Sequence, residues 1–330
     1  METISGVERP QVVVVGAGVI GLTTAVVLAE AGLQVRVDAE RPPGGTTSVA
    51  AGATWGPFMI GPAERVADWA RVSLAVFGEL AEESSETGVR LMTGSHQSLA
   101  PLAAPEWAVA VGARPCEKGE LRPGYIGGWQ FRAPVLDMPR YLEWLRRRFE
   151  RAGGQVRAHR YADLAEARTQ APVVVNCTGA GARTLVPDPE VTPVRGQVVV
   201  VGSGALREFF VDETPDAELL YAFPHGDTVV LGGTADRGDA SLAPSPETTE
   251  AILRRCTAVL PELRGAEVLG TRVGLRPARE EVRLGTERGP DTARSGLLVH
   301  NYGHGGAGVT VSWGCAEEVL GLIKADGADA

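Results

Sequence analysis

The chain has 330 residues, 44% of them hydrophobic, and carries a formal net charge of -9. That length permits two domains of ordinary size around a large buried core. The acidic balance excludes nucleic acid as an expected partner, since phosphate-backbone binding needs a concentrated basic surface, and no apolar run approaches the ~20 residues that cross a bilayer.

At the N-terminus, METISGVERP is polar and lacks the basic and apolar regions of a signal peptide, so a cytoplasmic, membrane-free protein is expected. Gln11 to Val15 (QVVVV) is a short run of β-branched residues, as a parallel strand buried on both faces should be. GAGVIG and then LTTAVVLAEAG follow, a helix closing at Gly32, and VRV at 35–37 gives a second strand. The unit is βαβ. Gly16, Gly18 and Gly21 make GxGxxG between strand and helix, with Val19 and Ile20 inside the motif. There the backbone must turn tightly and approach a pyrophosphate at the helix N-terminus. Glu40, just past the second strand, is placed to accept hydrogen bonds from an adenosine ribose, with Asp38 the nearby alternative. The motif alone does not separate NAD from FAD. The hydroxyl-rich, then small-residue segment TTSVAAGATWGP (Thr46 to Pro57) favours FAD, as a loop along which an extended cofactor could pass its phosphates and flavin.

Helices are expected over Ala63 to Glu83 and Met138 to Ala152. Ala171 to Gly181 (APVVVNCTGAG) gives another apolar strand feeding a glycine turn. Residues 197 to 233 contain QVVVVG, REFFVDE, ELLYAFP and DTVVLGG with turn residues between them, which reads as antiparallel strands. A helix over Pro246 to Val259 has Ser245 at its N-cap and Pro246 at its first position. Gly296 to Tyr302 (GLLVHNY) gives a further parallel strand, followed by a glycine-rich loop and a helix. Such a helix start carries unpaired N–H groups and partial positive charge, and a flat flavin ring is the expected reason for stripping side chains from this loop. The fold class is therefore α/β: a doubly wound parallel-sheet FAD-binding domain interrupted by an α+β substrate domain with an antiparallel sheet. Its expected bounds are 1–60, 138–190 and 280–330 for the first, and 61–137 and 191–279 for the second. Cys116, Cys177, Cys256 and Cys315 are scattered without a CxxC pair, so free thiols are expected and no metal site.

HNYGHGGAGVTVSWGCA, VVVNCTGAGA, GLRPAR (Gly274 to Arg279), VAAG and YAFP (Tyr221 to Pro224) together resemble the D-amino-acid oxidases, including D-aspartate oxidases. The match runs in order from Val12 to about Leu322. The resemblance implies FAD as cofactor and a small-molecule D-amino acid and dioxygen as reactants, with hydride transfer that needs no imidazole base. Arg276 would bind the substrate carboxylate through its planar fork, Tyr221 would donate to the same carboxylate, and the Gly306 carbonyl would receive the amino group. Gly305, Gly306, Gly308, Val309 and Thr310 match the flavin-binding turn. Arg41, Thr46, Thr47, Ala51, Gly52 and Thr178 match other FAD-contacting positions, and Arg160 one where backbone meets adenine. His300 and His304 are read as structural and His225 as exposed.

The chain departs from the family where a second active-site tyrosine is usual: Leu219, Leu220 and Ala235 stand there, and the lid is short. Ala235 also replaces the arginine of D-aspartate oxidases, although Arg237 lies two residues on. A neutral D-amino acid is the better expectation, with acidic substrates open. A glycine or secondary-amine oxidase, an NAD(P)-dependent dehydrogenase and a non-catalytic flavin-binding protein are the competing readings, and a homodimer is left open.

Overall fold

A computed structural model describes residues 10–202, 204–288 and 296–328. Residues 1–9, which carry most of the N-terminal reading, lie outside the described residues. The chain opens with β1 (Val12–Val15), α1 (Val19–Glu30), β2 (Val35–Ala39), α2 (Ala63–Leu80) and the short α3 (Ser84–Thr87). Next come β3 (Val89–Ser98), α4 (Glu106–Ala110), β4 (Arg114–Pro115), β5 (Gly127–Leu136), α5 (Met138–Arg151) and β6 (Gln155–Ala158). Then follow α6 (Leu164–Arg168), β7 (Val173–Asn176), α7 (Ala182–Leu185), β8 (Thr192–Gly202), β9 (Phe209–Asp212) and β10 (Tyr221–Pro224). The remainder is β11 (Thr228–Gly232), β12 (Asp236–Arg237), α8 (Pro246–Val259), β13 (Glu267–Ala278), β14 (Arg283–Arg288), β15 (Leu297–Tyr302) and α9 (Gly308–Ala328).

The first sheet runs in the order β14-β15-β7-β1-β2-β6. Its five strands from β15 to β6 are parallel and β14 is antiparallel at the edge. Val12 to Val15 are at most 5% exposed, and each such valine contributes roughly 1.5–3 kcal/mol of hydrophobic stabilisation. That double-sided burial is why the strand reads as an unbroken apolar run. Register places Val15 beside both Asp38 and Asn176, so the carboxyl ends of three strands finish level. Helix α1 packs between this sheet, α5 and α9, while Tyr161, Leu164 and Ala167 cover its other face.

The second sheet has the order β12-β8-β11-β10-β9-β3-β5-β4, with β13 on the other side of β8. All its pairs are antiparallel except β3 with β9, which are parallel. One face lies on Ile252 and Cys256 of α8, whose Ser245 caps it by accepting from Thr248 N–H. Strand β13 has no counterpart among the sequence expectations. It is an edge strand broken by Gly270, Gly274 and Pro277, so it lacks the alternation that marks a half-buried strand.

Helix α2, expected with the substrate part, instead packs along α9. Ser73 Oγ accepts from Trp313 and Gly314 N–H (3.1 and 3.3 Å), and Trp69 Nε1 donates to Glu318 (2.6 Å). All four cysteines are free thiols. Among the described residues no helix is long and apolar enough to cross a membrane.

Candidate active site

The carboxyl end of the first sheet is built from glycines in close contact. Gly16 has φ +113°, in the left-handed region, and a Cβ there would lie 2.5 Å from the Cys177 carbonyl; a Cβ on Gly21 would strike the Gly16 carbonyl. Backbone meets backbone at both. Gly18 differs. It N-caps α1 without a side-chain cap or an acidic residue in the first turn, leaving the positive helix end open. A Cβ on Gly18 would meet only the Ser48 hydroxyl at 3.1 Å and, more loosely, that of Thr46. Val19 N–H donates to Ser48 Oγ (2.9 Å), and Ile20 is in the same turn. Ser48 was missed in the sequence, though the TTS run that carries it was the available signal. The flanking hydroxyls have backbone partners: Thr46 donates to Pro43 O (2.8 Å), and Thr47 accepts from Leu275 N–H (3.3 Å).

Of the two candidate acids, Asp38 is fully buried, and both its oxygens are taken by the forks of Arg36 and Arg157 and by the Tyr161 hydroxyl. Burial alone would raise its pKa, but those three partners together hold it below the usual carboxylate range. Glu40 is exposed and, among the described residues, makes a long ion pair with Arg160 (4.0 Å). Arg41 is exposed beside it. Just past β7, Thr178 N–H and hydroxyl both donate to Oδ1 of Asn176, the last residue of the strand (3.2 and 2.7 Å).

Half-buried Ala51 leads into Gly52, and a Cβ on Gly52 would lie 2.7 Å from the Phe223 ring and 3.1 Å from that of Tyr221. His225 was expected to be exposed. It is half-buried instead, because the β10–β11 turn folds over this loop and Nε2 donates to Gly52 O (3.1 Å). Burial pushes its pKa down.

Arg276 and Tyr221 come from different strands onto one face. Tyr221 pairs in register with Gly232, and its ring lies over Gly232 and Gly233, where any Cβ would collide with it. Arg276 crosses Gly196 in the same way and donates from Nη1 to Thr234 O (2.8 Å). Burial raises the Tyr221 pKa, with the Arg276 guanidinium opposing, so the phenol remains a neutral donor. Phe58, which no sequence pattern marked, stands 40% exposed with its ring 6.0 Å from Arg276 Cζ.

The glycine loop is tied to the same place. Gly305 N–H donates to Pro277 O (3.0 Å) and Gly306 N–H to Phe58 O (3.1 Å). Gly305 has φ +52°, and a Cβ on it would strike the Met59 carbonyl; one on Gly306 would strike the Phe58 ring. The chain's own residues 58–59 therefore occupy the space a Cβ would take at these two glycines. Gly308 remains open: its nearest neighbours are His304, Ile20 and Val19 at 3.8 Å. Since Gly308 opens α9 and Val19 opens α1, two positive helix ends meet there. Val309 is buried, and the Thr310 hydroxyl is engaged by Gly56, donating to its carbonyl (2.8 Å) and accepting from its N–H (3.2 Å).

Neither histidine of the block is set up as a base. His300 bonds to Asn176 (3.3 Å) and Glu287 (3.1 Å), and burial lowers its pKa. His304 is buried, which pushes its pKa down to about 3.

Residues 11–322 match the family model described as FAD dependent oxidoreductase. The chain is 50% identical over 331 residues to the D-amino-acid oxidase of Streptomyces coelicolor, covering 98% of this chain and 100% of that one. It is 49% identical to the D-amino-acid oxidase of Rubrobacter xylanophilus, over 95% of each chain. The chain belongs to the D-amino-acid oxidase family. The D-aspartate oxidase of Homo sapiens is 36% identical over 96% of this chain and 95% of its own. Among solved structures, glycine oxidase from Bacillus cereus shares the fold with a TM-score of 0.79 at 22% identity, over 96% of each chain.

FAD is the cofactor of this family, and the residues present fit it. The open cradles at Gly18 and Gly308, the Ser48 hydroxyl and the joined starts of α1 and α9 suit a pyrophosphate and an electron-rich ring edge.

Proposed function

We propose that the protein is an FAD-dependent oxidase of D-amino acids that yields a 2-oxo acid, ammonia and hydrogen peroxide. The observation that carries this reading is the convergence of the Arg276 fork and the neutral Tyr221 hydroxyl over the Gly196, Gly232 and Gly233 strip, beside Gly306. Bound FAD supplies the redox chemistry, accepting hydride from the substrate Cα and passing electrons to dioxygen.

The chain supplies binding and orientation. Arg276 holds the carboxylate, with one N–H fixed on Thr234 O so that the guanidinium plane is set beforehand. Tyr221 donates a second hydrogen bond to that carboxylate, and the Gly306 carbonyl accepts from the amino group, so that the single Cα–H of the D-form faces the cofactor. The imino acid product is hydrolysed by water. His304, neutral by burial, takes no proton. Gly16, Gly18, Val19, Ile20, Gly21 and Ser48 would hold the pyrophosphate, and Glu40 the ribose. Arg41, Thr46, Thr47, Ala51, Gly52, Arg160 and Thr178 would line its path, and Gly305 to Thr310 would flank the ring. The cofactor part would comprise 1–60, 138–190 and 280–330 together with α2, and the substrate part the rest of 61–137 with 191–279.

The side-chain preference in this reading is for neutral, apolar substrates. The Phe223 ring lies tilted at 5.0 Å from the Tyr221 ring, Phe209 lies 6.0 Å from Phe223, and Phe58 faces Arg276. An acidic side chain against such rings would lose hydration without gaining a paired cation. A peroxide-release screen over paired D- and L-amino acids, glycine and sarcosine tests the reading. Oxidation of D-valine or D-methionine, with their L-forms inert, is expected. Activity confined to glycine and sarcosine would replace it with a glycine or secondary-amine oxidase.

A further inference from the structure

Behind Tyr221 and Arg276, on the opposite face of the second sheet, α8 carries an arginine whose hydrogen bonds lead into the carboxylate site. Tyr221 packs with Val198, Val200 and Val230 on the front face. Leu220, Ala222 and Leu231 alternate onto the rear face against Ile252 and Cys256 of α8. Arg255, one residue before Cys256, reaches the sheet end from that rear side. Its Nε donates to Leu219 O (3.0 Å) and its Nη2 to Gly233 O (2.6 Å). The Arg255 side chain is only 16% exposed, and its carboxylate partner, Glu218 at 3.4 Å, is itself 79% exposed. Two carbonyls, more than an ion pair, account for its position.

Those carbonyls flank the catalytic pair. Leu219 O also accepts from Gly233 N–H (2.9 Å), closing the β10–β11 ladder one step beyond the Tyr221–Gly232 pair. The residue after Gly233 is Thr234, whose carbonyl receives Arg276 Nη1 (2.8 Å) and whose hydroxyl accepts from Gln197 N–H (3.1 Å). Consecutive carbonyls, Gly233 and Thr234, are thus held by two guanidinium groups from opposite faces of the sheet. If the Gly233 carbonyl is released, the Gly233–Thr234 peptide keeps only the Gly233 N–H and Thr234 hydroxyl bonds, so the Thr234 carbonyl can tilt and the anchor that fixes the Arg276 plane loosens. The Gly232–Gly233 seat under the Tyr221 ring loosens with it.

We propose that Arg255 is a positioning residue for carboxylate recognition, presetting Arg276 and Tyr221 by clamping the Leu219 and Gly233 carbonyls. The inference rests on the carboxylate-binding role proposed for Arg276 and Tyr221. A bidentate arginine that is already fixed in place gives up little side-chain freedom on binding, whereas a loosened one gives up much more. The effect therefore belongs in substrate affinity.

Arg255→Lys and Arg255→Met, purified with FAD, test it. Lysine keeps a stem and a charge but cannot bridge two carbonyls in the plane of a guanidinium. In Arg255→Lys, KM for a neutral D-amino acid should rise about 5- to 30-fold with kcat within about 3-fold, as expected for lost binding without altered chemistry. Affinity for propanoate, a carboxylate that cannot be deaminated, should fall by the same factor when measured by calorimetry on the FAD-loaded protein. Arg255→Met should do the same or worse; if it does not fold, Arg255→Lys decides. Should KM and propanoate affinity stay within 2-fold of the parent while only the melting temperature falls, Arg255 is a structural cap and the proposal is overturned. Arg276→Lys serves as reference. Unchanged propanoate affinity in that variant would sink the carboxylate site itself, whereas weakening there and not in the Arg255 variants would sink only the role given to Arg255.

Discussion

Replacing Arg276 with alanine removes a guanidinium that is anchored on Thr234 O at 2.8 Å, interacts with the Tyr221 hydroxyl, and lies over the bare backbone of Gly196 near Phe58. Its remaining donors have no carboxylate partner among the described ion pairs, so the planar fork is available to an incoming substrate. A charge-assisted pair in a half-buried setting loses roughly 2–5 kcal/mol when one member is truncated, much of it from leaving the other charge desolvated and unpaired. Taking ~3 kcal/mol as the central value gives on the order of 100-fold in kcat/KM. The proposed flavin contacts lie chiefly in 16–52 and 305–310, with Arg160 and Thr178, so FAD content should not change. Arg276→Lys should recover part of the loss, since an ammonium can neutralise the carboxylate but cannot hold Thr234 O and both carboxylate oxygens in one plane. Peroxide release under steady state, with FAD occupancy read from absorbance, is the assay. A kcat/KM within about 5-fold of the parent at full FAD occupancy, which the estimated loss does not allow, would remove Arg276 from the site.

Gly18→Val should abolish FAD retention, because its branched side chain would fill the open space between the start of α1 and Ser48; a fully loaded variant would show that the cofactor does not approach there. Asp38→Asn should lower stability by about 2–4 kcal/mol by leaving Arg36 and Arg157 facing a neutral group in a buried setting. Because the folded pKa of Asp38 is depressed, its contribution is complete above the unfolded carboxylate value of about 4 and is lost only as pH falls through the lower folded value. The stability gap between parent and variant should therefore be flat from about pH 5 to 8 and shrink in stronger acid, and chemical denaturation that finds the gap changing across the neutral range would contradict this. The parent should also prefer D-valine to D-aspartate in kcat/KM, and Ala235→Arg should narrow the difference. Arg237 is the competing cation: it is exposed, but it pairs with Val194, as Arg276 does from the other side, so both arginines leave the same face of the sheet. A strong D-aspartate preference that disappears in Arg237→Ala would overturn the neutral assignment.

The parts of this molecule that were legible in its sequence are those where one physical requirement acts alone. Val12 to Val15 must be buried on both faces, so they form an unbroken apolar run; α8 needs its first N–H groups satisfied, so Ser245 and Pro246 mark its start to the residue. Strand β13 was hidden because an edge strand has a single hydrogen-bonded neighbour and tolerates Gly270, Gly274 and Pro277, so Arg276 stood out through its motif and not through its strand. His225 was misread because a turn residue is exposed by default, and only the packing of the β10–β11 turn over Gly52 reverses that. Phe58 carried no signal at all, since its position over Arg276 depends on where two distant segments meet.

The glycines set the boundary most sharply. A sequence records that a Cβ is missing but not what occupies its place, and the structure divides the missing ones into two kinds. At Gly16, Gly21 and Gly305 a backbone carbonyl of the chain itself fills the position, and these glycines are required for the fold whether or not a ligand ever binds. At Gly18 only a rotatable hydroxyl stands near, and at Gly308 nothing lies closer than 3.8 Å. Ligand approach can explain glycine only at positions of the second kind, and both begin helices whose starts touch through Val19 and Ile20. The two open positions therefore share one region of pooled positive potential, and that coincidence, more than the number of glycines, is the argument for joining the motif near the N-terminus and the block near the C-terminus in the one cofactor site proposed.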